Sequence, residues 1–316
     1  MLISPKFDLH SMRVLHLEPT TVCNLGCPLC VRTDINDYNK TNPRLELTTI
    51  TIEQLSQALP TSVVAGLDKM FMCGNLGDPA AAQNCLEIYQ WFRKQNTSIV
   101  LGINSNGSLR SQRWWQLLAD VLNQPKDYAV FSIDGLEDTN HIYRIRSDWK
   151  KLMSNAQAFI DAGGQAHWDM LVYEHNEHQV DACAELARSM GFKWFRAKHS
   201  KREIPVYLSK RIRSNTVFDD AAISTRPEAC PHDQEQMMYM DAQARIWTCC
   251  HVATAWNKDT DEGKALRTQF TDYTEIMPYI QNNWDNHILT ACRQNCSSTT
   301  HGPANRAQWR LDLELK

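Results

Sequence analysis

Cysteine is the residue type in this sequence with the greatest capacity for chemistry. The chain of 316 residues contains 11 cysteines, an odd number, and its first 16 residues lack the apolar core of a secretory signal. We therefore expect a cytoplasmic protein, in which thiols stay reduced and serve metal or redox chemistry rather than a disulfide scaffold. Three cysteines lie between positions 23 and 30, and five lie between positions 230 and 296.

The first group has the spacing Cys-x3-Cys-x2-Cys, formed by Cys23, Cys27 and Cys30. A structural zinc site takes four ligands, and this loop offers three thiols and no histidine. An iron–sulfur cube is also normally held by four thiolates. Three thiolates would leave one iron open, and an open iron can chelate a small molecule.

This loop resembles the signature of the radical S-adenosylmethionine (radical SAM) enzymes. The resemblance implies that Cys23, Cys27 and Cys30 hold a [4Fe–4S] cluster whose open iron binds the amino and carboxylate groups of S-adenosylmethionine. It also implies reductive cleavage of that molecule to a 5′-deoxyadenosyl radical, which abstracts a hydrogen atom from a substrate. One departure is Leu29, since the family often has an aromatic residue before the third cysteine.

Two further segments resemble motifs of the same family. The stretch 74–79, Gly-Asn-Leu-Gly-Asp-Pro, is similar to the Gly-Gly-Glu-Pro motif, with Asp in place of the usual Glu. By this resemblance Gly77 permits close approach to the ligand, and Asp78 accepts hydrogen bonds from the methionyl ammonium. Ser105-Asn106-Gly107 looks like the Thr-Asn-Gly turn, in which Asn106 either contacts the ligand or only turns the chain.

A third segment, Ser132-Ile133-Asp134-Gly135 with His141 and Arg144 after it, resembles the Ser-x-Asp-Gly…His…Arg stretch of the family. The resemblance implies that Ser132 and Arg144 bind the methionyl carboxylate or the ribose hydroxyls, because a guanidinium pairs with both carboxylate oxygens. Arg146 is the alternative carboxylate partner. Asp134 touches the ribose or holds the loop. Asn176 reaches the adenosyl group or caps the following helix.

The elements that must position these residues alternate between strand and helix. Strands are predicted over residues 14–17, 69–73, 98–103, 128–133, 165–172 and 193–197, and helices over 51–59, 80–95, 111–122, 150–162 and 177–190. Such alternation indicates an α/β fold with a parallel sheet, either a barrel or a doubly wound sheet. The family resemblance implies a partial (βα)6 barrel over residues 1–200, followed by a linker over 201–229 and a small cysteine-rich domain over 230–316.

The cysteine-rich segment resembles the SPASM or twitch extensions of radical SAM enzymes, which hold auxiliary iron–sulfur clusters. We expect one auxiliary [4Fe–4S] cluster held by Cys230, Cys250, Cys292 and Cys296. Cys249 is the alternative to Cys250, because neighbouring side chains point apart. The competing interpretation is a tetrahedral zinc site made by the same thiolates.

Two other features allow a functional and a structural interpretation. Cys73 ends the second predicted strand, where its thiol either donates a hydrogen atom to a substrate radical or packs as a small buried residue. The run 198–213 contains six Lys or Arg residues, which either meet an acidic partner or form a solvated surface.

Composition limits the function classes that remain. With 33 basic and 36 acidic residues the formal net charge is −3, whereas a generic nucleic-acid binder is basic, and no apolar run is long enough to span a bilayer. We expect a radical SAM enzyme that receives electrons from a flavodoxin or ferredoxin and modifies a peptide or amino-acid-like substrate by oxidation, crosslinking or epimerisation. Nothing before residue 14 is large enough to bind a leader peptide, so the tail or a separate protein would do so. The alternatives are action on a small non-peptide metabolite, or a non-catalytic zinc- or iron–sulfur-binding protein.

Overall fold

The fold is known from a computed structural model. It describes residues 6–34, 37, 39–199, 230–257, 261–284, 289–296 and 313–314. The predicted linker over 201–229 and most of the basic run 198–213 lie outside the described residues.

Six strands follow one another in the sheet in their chain order, each parallel to the one before it. They are β1 (Val14–Leu17), β2 (Lys69–Cys73), β3 (Val100–Ser105), β4 (Tyr128–Ser132), β5 (Ala166–Val172) and β6 (Trp194–His199). The predicted α/β class and all six predicted strands are confirmed, with shifts of one or two residues at six of the twelve strand ends.

Helices connect these strands and continue beyond them. They are α1 (Ile52–Ala58), α2 (Thr61–Ala65), α3 (Cys85–Gln95), α4 (Gln112–Val121), α5 (Glu137–Tyr143), α6 (Trp149–Asp161), α7 (Val180–Met190), α8 (Pro231–Gln234), α9 (Cys250–Asn257), α10 (Asp261–Gln269), α11 (Ile276–Asn283) and α12 (Thr290–Cys296). Short 3-10 turns lie at Leu9–Ser11, Pro79–Ala81, Glu177–Gln179 and Tyr273–Glu275. None of the helices in the described part of the chain combines the length and the hydrophobicity needed to cross a membrane.

Local sequence signals explain where the helices begin and end. Thr51 and Gln54 form the capping box that their spacing predicts: the Thr51 hydroxyl accepts from the Gln54 N–H at 3.1 Å, and the Gln54 amide oxygen accepts from the Thr51 N–H at 2.9 Å. Asp148 caps α6 in a similar way. Gly191 ends α7 with φ of 88°, a left-handed conformation that glycine adopts without strain.

Three shorter strands extend the sheet at its two edges. β7 (Met237–Met240) pairs in parallel with β1, β8 (Ile246–Trp247) pairs antiparallel with β7, and β9 (Leu313–Glu314) pairs antiparallel with β6. β7 and β8 form a hairpin in which Tyr239 lies opposite Trp247 and Met240 lies opposite Ile246. Pairing of β7 with β1 was not predicted, and it attaches the C-terminal segment to the first strand of the sheet.

The two faces of the sheet differ in character because side chains alternate along each strand. One face packs against the helices through fully buried apolar residues such as Leu15, Met70, Leu101 and Trp168. The opposite face, here called the inner face, carries polar and aromatic side chains. These are His16, Lys69, Phe71, Cys73, Asn104, Tyr128, Ser132, His167, Asp169, Arg196, Lys198 and Tyr239.

Rings form a continuous layer on the inner face. His16 stacks on Phe71 with centroids 4.6 Å apart, and Tyr128 stacks on His167 at 5.3 Å. The Lys69 ammonium lies over the rings of Phe71 and Tyr128 at 5.2 and 4.9 Å. The layer lies below the carboxyl ends of the strands, so it forms a floor beneath the loops that carry the predicted site.

A second apolar core lies in the C-terminal part of the chain. It is built from β7, β8 and helices α9 to α12, with Trp247, Val252, Phe270, Ile280 and Trp284 among its buried members. This core supports the segment that carries Cys249, Cys250, Cys292 and Cys296.

Candidate functional site

The cysteine loop begins six residues after β1, at the carboxyl end of the parallel sheet. Cys23, Cys27 and Cys30 form no disulfide within the described residues, and each is partly exposed. The Cys23 sulfur accepts hydrogen bonds from the Leu25 N–H at 3.4 Å and from the Asn106 side-chain amide at 3.7 Å. Burial, together with the nearby Asp78 carboxylate, raises the pKa of the Cys23 thiol to about 12.

These surroundings fit a bound thiolate. N–H groups directed at sulfur stabilise its anionic form, and a coordinating metal deprotonates a thiol that would otherwise stay neutral. Across the described ranges, no three Cys, His, Asp or Glu side chains stand together as a ready-made metal site. The loop therefore supplies the right donor set on one short segment, and a cluster would have to gather the three sulfurs.

Arg32 shapes this loop from within. Its side chain is buried, and its guanidinium donates to the backbone oxygens of Thr21 at 3.0 Å and Leu25 at 3.4 Å. A buried guanidinium that satisfies carbonyl groups on both sides of Cys23 fixes the path of the chain. Arg32 was not identified from the sequence, because a single arginine after the third cysteine carries no motif.

Gly77 and Asp78 bring the loop after β2 against the cysteine loop. A Cβ atom on Gly77 would lie 2.0 Å from the Thr20 carbonyl oxygen, so only glycine fits there. The Asp78 carboxylate accepts from the Ala80 N–H and the Ser105 hydroxyl, and from the backbone and side-chain amides of Asn106, at 2.7 to 3.0 Å. Asp78 thus ties the end of β2 to the end of β3, and the predicted ammonium contact would add to four existing bonds.

Asn106 connects the motifs. Its side-chain amide donates to the Cys23 sulfur, to the Asn24 amide oxygen at 3.0 Å and to Asp78 at 2.7 Å, while its own oxygen accepts from Ser108. Asn24 in turn donates to the Ser108 hydroxyl at 2.9 Å. The predicted turn residue therefore holds the cysteine loop in place from the end of β3.

Glu18, at the end of β1, is a site residue that the sequence analysis missed. Its carboxylate is fully buried and accepts from the backbone N–H groups of Leu76 at 2.5 Å and Gly77 at 2.8 Å, and from the Tyr239 hydroxyl. Burial raises the pKa of Glu18 to about 7 despite these bonds. The sequence feature that could have identified Glu18 is its position as a charged residue directly after an apolar strand.

Asp134 and Asn176 join the ends of β4 and β5. The Asp134 carboxylate pairs with the Arg144 guanidinium at 2.7 Å and accepts from the Leu171 N–H at 2.7 Å. The Asn176 amide donates to the backbone oxygens of Asp134 and Leu171 at 3.0 and 2.9 Å. Both side chains are fully buried, and their hydrogen bonds join the loops that follow β4 and β5. The Asn176 side chain makes no capping bond to the turn that follows it, which was the structural alternative stated for this residue.

Arg144 and Arg146, the two predicted partners of a methionyl carboxylate, differ in their surroundings. Arg144, fixed by Asp134, lies within electrostatic range of Cys27. Arg146 is exposed and donates to the Asn39 backbone oxygen at 3.3 Å. Ser132 is half-buried, and its hydroxyl has no hydrogen-bond partner among the described residues. Arg144 is therefore fixed beside Cys27, whereas Arg146 is held at the surface by Asn39.

An aromatic stack borders the cysteine loop on the side of β5. Tyr143 and Tyr173 have ring centroids 4.8 Å apart, and His175 stacks on Tyr173 at 5.5 Å. Cys27 and Leu29 pack against this stack. Both ring nitrogens of His175 are buried, and within the described part of the chain neither finds a hydrogen-bond partner.

The second thiol group separates the two adjacent cysteines. Cys230, Cys249, Cys292 and Cys296 line one small pocket together with His232 and His251. Burial raises the pKa of each of these thiols, and Cys249 influences the other three electrostatically. The structure thus groups Cys249, the stated alternative, with the other three cysteines.

Cys250 points elsewhere. Its thiol lies near the Asn75 side chain and within electrostatic range of Cys249, Cys73 and Glu18. Cys73 itself faces the inner side of the sheet near Lys198 and Asp169, and burial raises the pKa of its thiol to about 12. Cys73 and Cys250 therefore lie within electrostatic range of each other, outside the pocket that the other four cysteines line.

The comparisons with known proteins concern the fold. No protein-family model matches the sequence, and no curated protein is similar enough to match it. Crystal structures of SuiB from Streptococcus suis are similar to this chain. The form bound to S-adenosylmethionine has 14% identity and a TM-score of 0.53 over 81% of this chain and 68% of SuiB. A further SuiB structure gives 12% identity and a TM-score of 0.54 over 90% and 68%. The form bound to the precursor peptide SuiA gives 13% identity and a TM-score of 0.53 over 79% of this chain and 62% of SuiB.

We conclude that this chain has the α/β partial-barrel fold of the radical SAM enzymes, as its cysteine loop and strand-end motifs predict.

Proposed function

We propose that the chain is a radical SAM enzyme in which Cys23, Cys27 and Cys30 hold a [4Fe–4S] cluster. Such a cluster, when bound, supplies the electron that cleaves S-adenosylmethionine to a 5′-deoxyadenosyl radical. The observation that carries the proposal is the position of Asn106, whose amide donates both to the Cys23 sulfur and to Asp78. The cysteine loop and the loops after β2 and β3, whose sequences resemble family motifs, thus meet near the Cys23 sulfur.

The protein's own part is to bind and orient S-adenosylmethionine. Arg144 is held rigidly by Asp134 beside Cys27, where its guanidinium suits the methionyl carboxylate. Ser132 offers a hydroxyl for the carboxylate or the ribose. The His175 ring presents two buried nitrogens and a stacking face, which suit the adenine. Asp78, Asp134 and Asn176 act mainly by fixing these loops.

Four cysteines line one pocket, and a second metal centre there would have to draw their sulfurs together, as at the first loop. We propose that Cys230, Cys249, Cys292 and Cys296 hold one auxiliary [4Fe–4S] cluster, with zinc as the alternative occupant. All four sulfurs line the same pocket in the C-terminal core. The domain boundaries proposed from the sequence, 1–200, 201–229 and 230–316, would assign this centre to the C-terminal unit.

A peptide is the substrate class that we favour. SuiB, whose fold this chain shares, has been crystallised with a precursor peptide. The reaction would then be oxidation, crosslinking or epimerisation of that peptide, with a flavodoxin or ferredoxin as electron donor. A small metabolite is the alternative substrate.

The proposed activity is tested by anaerobic reconstitution with iron and sulfide, followed by dithionite and S-adenosylmethionine. We expect 5′-deoxyadenosine from the wild type and none from Cys23→Ala. Cys183→Ala is the matched control, because this buried thiol lies on α7 outside the site and its variant should keep the activity. Formation of 5′-deoxyadenosine by Cys23→Ala, or protein that retains zinc and takes up no iron, would refute the proposal.

A further inference from the structure

One buried hydrogen-bond donor in the C-terminal core lacks an acceptor. It is the indole N–H of Trp284, the residue that directly follows α11. The Trp284 side chain is shielded from solvent, and no described residue accepts a hydrogen bond from its Nε1. Buried polar groups in folded proteins are nearly always paired, and an unpaired one costs about 1 to 3 kcal/mol. The position of this N–H therefore indicates an acceptor that the chain alone does not supply.

The Trp284 ring lines the same pocket as the four grouped thiols. Those thiols belong to Cys230, Cys249, Cys292 and Cys296. A neutral thiol is a weak hydrogen-bond acceptor, whereas a metal-bound thiolate or an inorganic sulfide carries negative charge and accepts strongly. A metal centre on these cysteines would therefore bring an acceptor of the required kind into the pocket that Trp284 lines.

Backbone groups beside two of the thiols also favour anionic sulfur. Burial raises the pKa of the Cys249 thiol, and the nearby N–H groups of Val252 and His251 oppose that rise. The pKa of the Cys230 thiol is likewise raised by burial and lowered by N–H groups at the start of α8. The surroundings of the pocket thus contain several N–H donors, of which the Trp284 indole is a buried side-chain donor that no described residue uses.

We propose that the Trp284 N–H donates a hydrogen bond to a sulfur of the auxiliary metal centre, which makes Trp284 a positioning residue for that centre. This inference rests on the proposed function for the presence of a metal at the four cysteines. Groups that hydrogen-bond to metal ligands typically contribute roughly 10- to 100-fold to metal affinity. In an iron–sulfur cluster such a donor also stabilises the reduced, more negative state, and so raises the reduction potential.

The test removes the N–H while keeping the ring. Full-length protein is prepared with benzothienylalanine in place of Trp284, since this residue has nearly the shape of tryptophan and no N–H. The background is the triple variant Cys23→Ala, Cys27→Ala, Cys30→Ala, so that the second centre is the one measured. We expect the metal affinity, determined by competition with a chelator, to fall about tenfold or more. The midpoint potential should also fall, by about 59 mV for each tenfold loss in preference for the reduced state.

Trp247 provides the matched control. Its ring is buried in the same core, but its indole N–H donates to the Asp241 carboxylate at 2.8 Å. The same replacement at Trp247 should lower the free energy of unfolding, because it leaves a buried carboxylate oxygen without its donor. It should leave the metal affinity and the midpoint potential of the second centre at their values in the background variant.

The outcomes distinguish this inference from the proposed function. Unchanged metal affinity and potential after the replacement at Trp284 would overturn the inference, as would thiols that bind neither iron nor zinc before the replacement. A zinc centre that loses affinity on replacement would support the hydrogen bond and refute the iron–sulfur assignment. The first cluster is assayed separately, by 5′-deoxyadenosine formation without the triple variant. Absence of that product together with an intact Trp284 effect would refute the proposed activity alone.

Discussion

The Tyr239 hydroxyl donates a hydrogen bond to the Glu18 carboxylate, and this contact joins residues 221 positions apart in the chain. Glu18 also accepts from the N–H groups of Leu76 and Gly77, so one buried carboxylate connects β1, β7 and the loop after β2. The C-terminal segment is thereby tied directly to the loops that carry the proposed S-adenosylmethionine site. Neither residue belongs to a motif, yet their contact holds the C-terminal segment against the loop after β2.

Tyr239→Phe should destabilise the protein, because it leaves a buried carboxylate oxygen without its donor. We expect a loss of about 1 to 3 kcal/mol in the free energy of unfolding, measured with guanidinium chloride. Tyr273→Phe is the control, since Tyr273 stacks on Trp247 in the same region and is partly exposed. Equal stability of the two variants would show that the Glu18 contact contributes nothing.

The raised pKa of Glu18 predicts a specific pH dependence. Its pKa is about 7 in the folded protein against an ordinary value of 4.5, so between these values the folded state retains a proton that the unfolded state has lost. The stability contributed by this proton is fully present below pH 4.5 and disappears as the pH rises through 7. Glu18→Gln cannot ionise and should gain on the wild type between pH 5 and 8, by at most about 3 kcal/mol. A stability difference that is constant over this range would contradict the prediction.

The separation of the adjacent cysteines predicts different effects of two similar variants. Cys249→Ala should lose the iron of the auxiliary centre, because Cys249 lines the pocket with Cys230, Cys292 and Cys296. Cys250→Ala should retain that iron, because its thiol lies near Asn75 instead. Iron content and visible absorbance of anaerobically reconstituted protein measure this difference. Loss of iron in Cys250→Ala together with retention of iron in Cys249→Ala would show that Cys250 is the ligand.

Gly77→Ala should displace the loop after β2 from the cysteine loop. Its Cβ would lie 2.0 Å from the Thr20 carbonyl oxygen, and backbone atoms cannot yield as a flexible side chain can. We expect a loss of about 3 kcal/mol or more in unfolding free energy, as for other overpacked sites, and weaker binding of S-adenosylmethionine. Gly66→Ala is the control, since its nearest contact would be 3.4 Å and its effect should stay within about 1 kcal/mol. If Gly77→Ala and Gly66→Ala were equally stable, the loop after β2 would be able to move at little cost in free energy.

The sequence predicted much of the fold, because the start and end of most strands and helices depend on patterns of neighbouring residues. The runs that form β1 and β2 were predicted with the bounds that the structure has, and the Thr51 capping box marks the start of α1. Helix α3 begins at Cys85 rather than at position 80, because Pro79–Ala81 forms a separate 3-10 turn capped by Asp78. Helices α2 and α5 were missed, since both are short and neither begins with a side-chain cap like that of α1.

Long-range contacts were less accessible from the sequence. The parallel pairing of β7 with β1 depends on the whole path of the chain, and no local pattern in Met237–Met240 indicates it. The choice between Cys249 and Cys250 follows from the direction in which the chain leaves β8. The sequence motifs predicted that Asp134 and Asn176 follow the ends of two strands. Only their hydrogen bonds to the Leu171 backbone show which part of the chain each side chain binds.

The central claim is that a cluster on Cys23, Cys27 and Cys30 binds S-adenosylmethionine. The most direct test is electron paramagnetic resonance of dithionite-reduced protein before and after S-adenosylmethionine is added. We predict a [4Fe–4S] signal that changes on addition, disappears in Cys27→Ala and remains in Cys249→Ala. A signal that does not respond to S-adenosylmethionine, or that responds equally in Cys27→Ala, would contradict the account.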